Sequence, residues 1–178
     1  ARPGPDRRPP GTGGRTMSPL PQTGHEHHEV IREHIDRLPG LADMLEQRPV
    51  PEAFATQFAA ECDFMTGTLL PHIAVVEKNV YPQLERLQQN RHSMAHLRRE
   101  HQEMAEIVEK MREYKERVDA GTLKPTIALE MRRLCIRFYA LVKTHIGEEE
   151  EYLRVLQSNL SEGEQATVEQ GLEHASAN

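Results

Sequence analysis

The chain contains no tryptophan, and aromatic residues make up only 4% of it, a poor supply for the aromatic-rich cores of sandwiches and barrels. Its only two cysteines, Cys62 and Cys135, lie far apart. They offer neither a disulfide framework nor a thiolate metal motif, and are expected to be small buried core residues in a reducing compartment. No apolar run approaches the roughly 18 residues that a membrane span requires, and no apolar stretch follows the N-terminal arginines as in a signal peptide. The cytoplasm is therefore the expected location. A clustered basic surface is also lacking and the formal net charge is -6, so nucleic acid is not an expected partner.

What is present favours helices. In 178 residues, 28% are charged and 37% hydrophobic, enough for one domain of long, surface-charged helices around a single core. Residues 1–22 hold six of the twelve prolines and four of the eleven glycines, and such a stretch is expected to be a disordered tail. Met17 lies inside it, which leaves open whether translation starts there. Beyond it, apolar residues recur at helical spacing, and Pro/Gly punctuation divides the pattern into four segments.

The first predicted helix covers about 24–47, with a bend at Pro39-Gly40, and stops at Pro49-Val50-Pro51. The second covers about 52–88, with Phe54, Phe58, Cys62, Met65, Leu69, His72, Val76 and Val80 on one face and distortions near Pro71 and Pro82. The third covers about 92–119, carries Met94, Leu97, His101, Met104, Val108 and Met111 on its stripe, and is capped at Ala120-Gly121. The fourth covers about 124–157, with Ile127, Met131, Leu134, Phe138, Leu141, His145 and Glu149 inward. Short connections between them imply an all-α, antiparallel up-and-down four-helix bundle over 24–158. Ser161 and Glu164 have the spacing of a capping box, so 161–178 is expected to be a tail or a short helix.

Each of the four helices places a histidine on its core-facing stripe. A single inward histidine is usually a hydrogen-bonded core residue, but four can be tested by axial level. His28 lies about 19 residues before the first connection and His72 about 20 after it, which puts both roughly 30 Å from that turn at 1.5 Å per residue. His101 and His145 stand about 19 and 21 residues from the third connection, again roughly 30 Å away. All four can meet in one layer. Glu149, four residues after His145, adds a carboxylate one turn along the same face. Imidazole and carboxylate without thiolate favour iron, manganese or zinc over copper(I).

These residues resemble the hemerythrin-like (HHE) domain, whose pattern is a first-helix His, an H-x-x-x-E pair, a third-helix His and a second H-x-x-x-E or H-x-x-x-D pair. The resemblance covers about 24–156 and rests on H-H-E-V-I-R-E-H-I from His27, L-L-P-H-I-A-V-V-E-K-N-V-Y-P from Leu69, L-R-R-E-H-Q-E-M from Leu97 and H-I-G-E-E-E from His145. By this match His28, His72, His101, His145 and Glu149 would be ligands of one or two non-haem iron ions. One position departs from the pattern. Val76 stands where the first pair needs a carboxylate, and Glu77 follows one residue late. A bulge could bring Glu77 inward, the site could hold a single metal, or another group could substitute. His34 is the nearest alternative donor on the first helix, though about six residues, or roughly 9 Å, from His28.

The resemblance implies binding or sensing of dioxygen, a related diatomic or peroxide, in redox or iron sensing or oxidant protection, with a carrier or sensor expected ahead of an enzyme. A peroxidase or oxidase on the same metal and a metal-poor regulatory bundle that binds a protein partner are the alternatives.

Overall fold

The computed structural model describes residues 20–119, 123–161 and 163–166, with 20–27, 119, 156 and 157 described by backbone alone. Residues 1–19, the Ala120-Gly121 cap and the chain beyond 166 lie outside the described residues. Among the described residues seven α-helices of seven or more residues follow in order: α1 (Leu20–Ile35), α2 (Leu38–Met44), α3 (Ala53–Phe64), α4 (Leu70–Asn79), α5 (Tyr81–Leu87), α6 (Ala95–Asp119) and α7 (Pro125–Asn159), with a π-helical turn, Met65–Leu69, joining α3 to α4. There is no strand among the described residues, and none of the described helices is long and apolar enough to cross a membrane. The fold is all-α.

Prolines divide the first two long segments. The first turns at Asp36-Arg37, upstream of Pro39, which occupies the first turn of α2. Proline is welcome there because it has no N–H to leave unpaired. The chain therefore breaks one turn earlier than the Pro39-Gly40 bend that the sequence predicts, where the proline ring would meet the preceding helix. In the second segment, Pro71 and Pro82 take the same position in α4 and α5. The widened turn before Pro71 and the break at Val80 before Pro82 (φ −95°, ψ −53°) remove two clashes that a continuous helix would impose.

The third segment begins at Ala95, after a turn in which the Asn90 side chain accepts the His92 N–H. The fourth starts with Pro125 at its first position. Its buried stripe is Ala128, Met131, Cys135, Phe138 and Val142, while Ile127, Leu134 and Leu141 are only partly buried beside it. Met131, Phe138, His145 and Glu149 are buried as the sequence predicts, while Ala128, Cys135 and Val142 take the places expected of Ile127, Leu134 and Leu141. Small Ala128 and Cys135 face the core and the larger residues flank them. At the other end, Ser161 donates its backbone N–H (3.0 Å) and hydroxyl (2.7 Å) to Glu164, and 163–166 is helical. These bonds, with help from Arg86, hold the Glu164 carboxyl down to about 2.

α7 packs along α1, α2, α5 and α6, and α6 also contacts α3 and α4. The buried side chains form two apolar clusters. The larger runs from Ile31, Ile35 and Leu38 through Phe54, Phe58, Cys62, Met65 and Leu69 to Met104, Met111, Phe138, Val142 and Ile146. The smaller joins Val76, Val80, Tyr81, Leu84, Met94, Leu97, Leu153 and Leu160. Both cysteines are buried, and burial, with Cys62 nearby, pushes the Cys135 thiol up to about 12.

α5 ends in a paired cap. Gln89 N–H bonds to Arg86 O and Asn90 N–H to Glu85 O, both at 3.1 Å, the two bonds of a Schellman motif. That motif needs a left-handed residue, and Gln89 supplies it at φ 50°. A side chain there costs about 1 kcal/mol or more relative to glycine. Gln89→Gly is expected to raise unfolding free energy by about 0.5 to 1 kcal/mol, read as a higher denaturant midpoint at unchanged slope.

Candidate metal centre

Between the two apolar clusters lies a layer of buried polar side chains. His72 on α4 falls between Leu69 of the larger cluster and Val76 of the smaller, and His101 on α6 between Leu97 and Met104. On α7, Glu149 falls between Ile146 and Leu153, with His145 one turn before it, while His28 on α1 precedes Ile31. His28, His72, His101, His145 and Glu149 are all nearly inaccessible to solvent. Helical periodicity puts each on an inward stripe, and the apolar clusters on either side keep water from them.

The polar atoms converge on Glu149. One group of three comprises His28, His72 and Glu149, and another His101, His145 and Glu149; within each, a potential ligand atom from every residue lies within 4.8 Å of the others. Glu149 Oε2 is 3.1 Å from His28 Nε2 and 3.9 Å from His145 Nε2. His101 Nε2 and His145 Nε2 face each other at 2.8 Å.

Outer carboxylates orient the rings. Glu77 Oε1 lies 2.8 Å from His101 Nδ1, Glu100 Oε2 lies 2.8 Å from His145 Nδ1, and Glu150 Oε1 lies 3.2 Å from His28 Nδ1. Arg32 holds Glu150 from the other side at 2.8 Å. A carboxylate can only accept, so each of these Nδ1 atoms carries hydrogen, and the Nε2 atoms of His101 and His145, in neutral rings, present lone pairs. Two such lone pairs facing each other at 2.8 Å between His101 and His145 repel unless a proton or cation lies with them. The donor set fits a metal ion: imidazoles, an anionic oxygen, and outer carboxylates behind His28, His101 and His145.

The family comparison agrees with this chemistry. A family model, the hemerythrin HHE cation binding domain, matches residues 22–169. The chain belongs to the hemerythrin HHE cation-binding family. Comparison with curated proteins and with solved structures found no match.

Within this hemerythrin domain, His28, His72, His101, His145 and Glu149 are brought together. His34 and Glu77 belong to neither group. His34 turns its Nδ1 to Glu61 Oε2 at 2.7 Å and stacks on Phe64, ring centroids 3.6 Å apart. Arg37 adds a second bond to the buried Glu61 carboxylate, so these residues tie the α1–α2 turn to α3. Glu77 stays behind His101, half-buried, because a normal α-helical turn at α4 points residue 76 inward instead. Val76 itself is buried among apolar side chains. His96 pairs at the surface with Glu148 at 3.4 Å.

Sequence reasoning did not find Tyr81. Its hydroxyl donates to Glu149 Oε1 at 2.9 Å and lies 3.3 Å from His101 Nε2. Its ring stacks on His101, centroids 5.4 Å apart and planes within 7°. Burial and the adjacent Glu149 charge push the phenol far above its ordinary range.

Burial opposes ionisation of Glu149, yet the His28 hydrogen bond and the attraction of His145, His28 and His72 outweigh it and hold the carboxyl below its ordinary range. Burial first, and then repulsion from His145, push His101 below its usual 6.5. As pH falls through 6.5, the unfolded chain protonates this imidazole while the folded chain resists. The stability that His101 contributes is therefore complete above that pH and is lost as pH drops toward the lowered value. Glu149 acts with the same sign at lower pH. Metal-free protein should show a thermal midpoint that falls between pH 7.5 and pH 5.5; a flat profile would mean that the His101 environment does not resist protonation.

Proposed function

We propose that this chain is a non-haem iron protein that holds two ions side by side and uses them to bind or sense dioxygen, a related diatomic or peroxide. The observation that carries this reading is the sharing of Glu149 by two groups that each contribute two histidines. Two imidazoles and a carboxylate form a ligand set that suits iron(II) and leaves coordination positions open. A carboxylate common to both sets suits a bridge. When bound, iron would supply reversible small-molecule binding and electron transfer. The chain's own residues would orient the imidazoles through Glu77, Glu100 and Glu150 and exclude water with the apolar clusters on both sides.

The packing of α7 against α1, α2, α5 and α6 supports an antiparallel up-and-down bundle whose four rods each deliver one histidine. The two buried cysteines suit a reducing compartment such as the cytoplasm. A carrier or sensor role accords with a site closed in by apolar side chains.

Purified without a histidine tag and reconstituted anaerobically with iron(II), the protein should bind about two irons per chain and, after oxidation, show a near-ultraviolet charge-transfer band that reduction bleaches. Glu149→Ala should lower iron retention on dialysis by at least about tenfold, the usual scale for losing a ligand or its support. Less than one-tenth of an iron per chain under those conditions would exclude the reading.

A further inference from the structure

We propose that Tyr81 is a metal ligand, its phenolate oxygen completing the group formed by His101, His145 and Glu149 in place of the carboxylate that Val76 cannot provide. This rests on the metal-binding reading above and specifies the donor set of one of its two groups.

The first argument is position. Ligand atoms adjacent on a first-row ion, with bonds near 2.1 Å, stand about 3.0 to 3.4 Å apart in octahedral or tetrahedral arrangements. The Tyr81 oxygen is 2.9 Å from Glu149 Oε1 and 3.3 Å from His101 Nε2, the spacing of a neighbouring vertex. Its ring is fully buried and held parallel to the His101 imidazole, so the oxygen is aimed before any ion arrives.

The second argument is charge. Replacing a carboxylate by Val76 removes one anion from a site with a single inner carboxylate, Glu149. A phenolate restores that anion with a hard oxygen that suits iron(III). Arg98 sits over the Tyr81 ring, its guanidinium carbon 5.2 Å from the centroid, while burial and the Glu149 charge keep the phenol protonated until an ion binds. On binding, the Tyr81 O–H bond breaks, its proton passes to the buffer, and an oxygen–metal bond forms; no electron is transferred in that step.

The third argument is the helix break. In a continuous helix Tyr81, five residues after Val76, would lie about 140° around the axis from it. The irregular residue Val80, just before Pro82, lies between them, and Val76 and Tyr81 are buried in the same cluster. The irregularity supplies an oxygen where the regular position supplies only a methyl group.

The test compares wild type and Tyr81→Phe loaded with iron(III), reading iron per chain, helical circular dichroism, visible absorption and resonance Raman with ring-deuterated tyrosine. Wild type should show a phenolate-to-iron band whose enhanced ring modes shift on deuteration. Tyr81→Phe should keep its helicity and at least one iron per chain yet lose the band. Iron-loaded wild type without tyrosine modes, or a band that persists in the variant, would overturn the assignment of Tyr81 and leave the iron reading standing. Wild type that binds no iron would overturn both. The labelled wild-type spectrum decides the matter even if the variant misfolds.

Discussion

Five ionisable side chains lie where the core should be dry, and the rest of the molecule is arranged around that fact. An isolated buried charge is so costly that it changes its protonation state or acquires a partner. Here Glu149 stays anionic because His28, His72 and His145 surround it, and the His101, His145 and His28 rings are held by Glu77, Glu100 and Glu150 respectively. Without a cation the balance is incomplete, because two imidazole nitrogens that should both accept face each other at 2.8 Å. Such a layer is poor at stabilising a fold and well suited to binding one or more metal ions.

The apolar clusters supply the stability that this layer does not. They lie on either side of it, so His72, His101 and His145 are delivered by stretches of helix anchored above and below, while α1 is anchored beyond His28 by Ile31 and Ile35. The irregularities fall mainly on one rod. The π-turn and the two proline-initiated helices, α4 and α5, lie between Met65 and Leu87, and this same stretch carries His72, Val76, Glu77 and Tyr81. The segment that departs from the family's ligand pattern is also the one that departs from regular helix.

Much of this was legible in the sequence because it depends on helical periodicity. Inward histidines on four segments, Glu149 four residues after His145, and counting at 1.5 Å per residue were enough to predict their common level. The all-α class and the approximate ends of the second and fourth helices were readable from Pro/Gly punctuation. Periodicity failed where the helix itself does. The turn at Asp36-Arg37 and the break at Val80 reset the phase, so an extrapolated stripe could not find Tyr81. It also could not show that Glu77 supports His101 from behind or that His34 belongs to Glu61, since both contacts are made across helices. On α7 the large residues Ile127, Leu134 and Leu141 drew the predicted stripe aside, whereas close packing gave the centre to Ala128 and Cys135.

On the reading proposed above, one carboxylate, Glu149, would serve two metal positions at once. Iron-edge X-ray absorption on the iron-loaded protein tests it most directly, because the distance between ions does not depend on knowing the physiological ligand. A shared carboxylate predicts an iron–iron vector shorter than about 4 Å, the range of two-metal sites, with a nitrogen- and oxygen-only inner shell. An inner shell of that kind with no iron–iron vector, at two irons per chain, would contradict it.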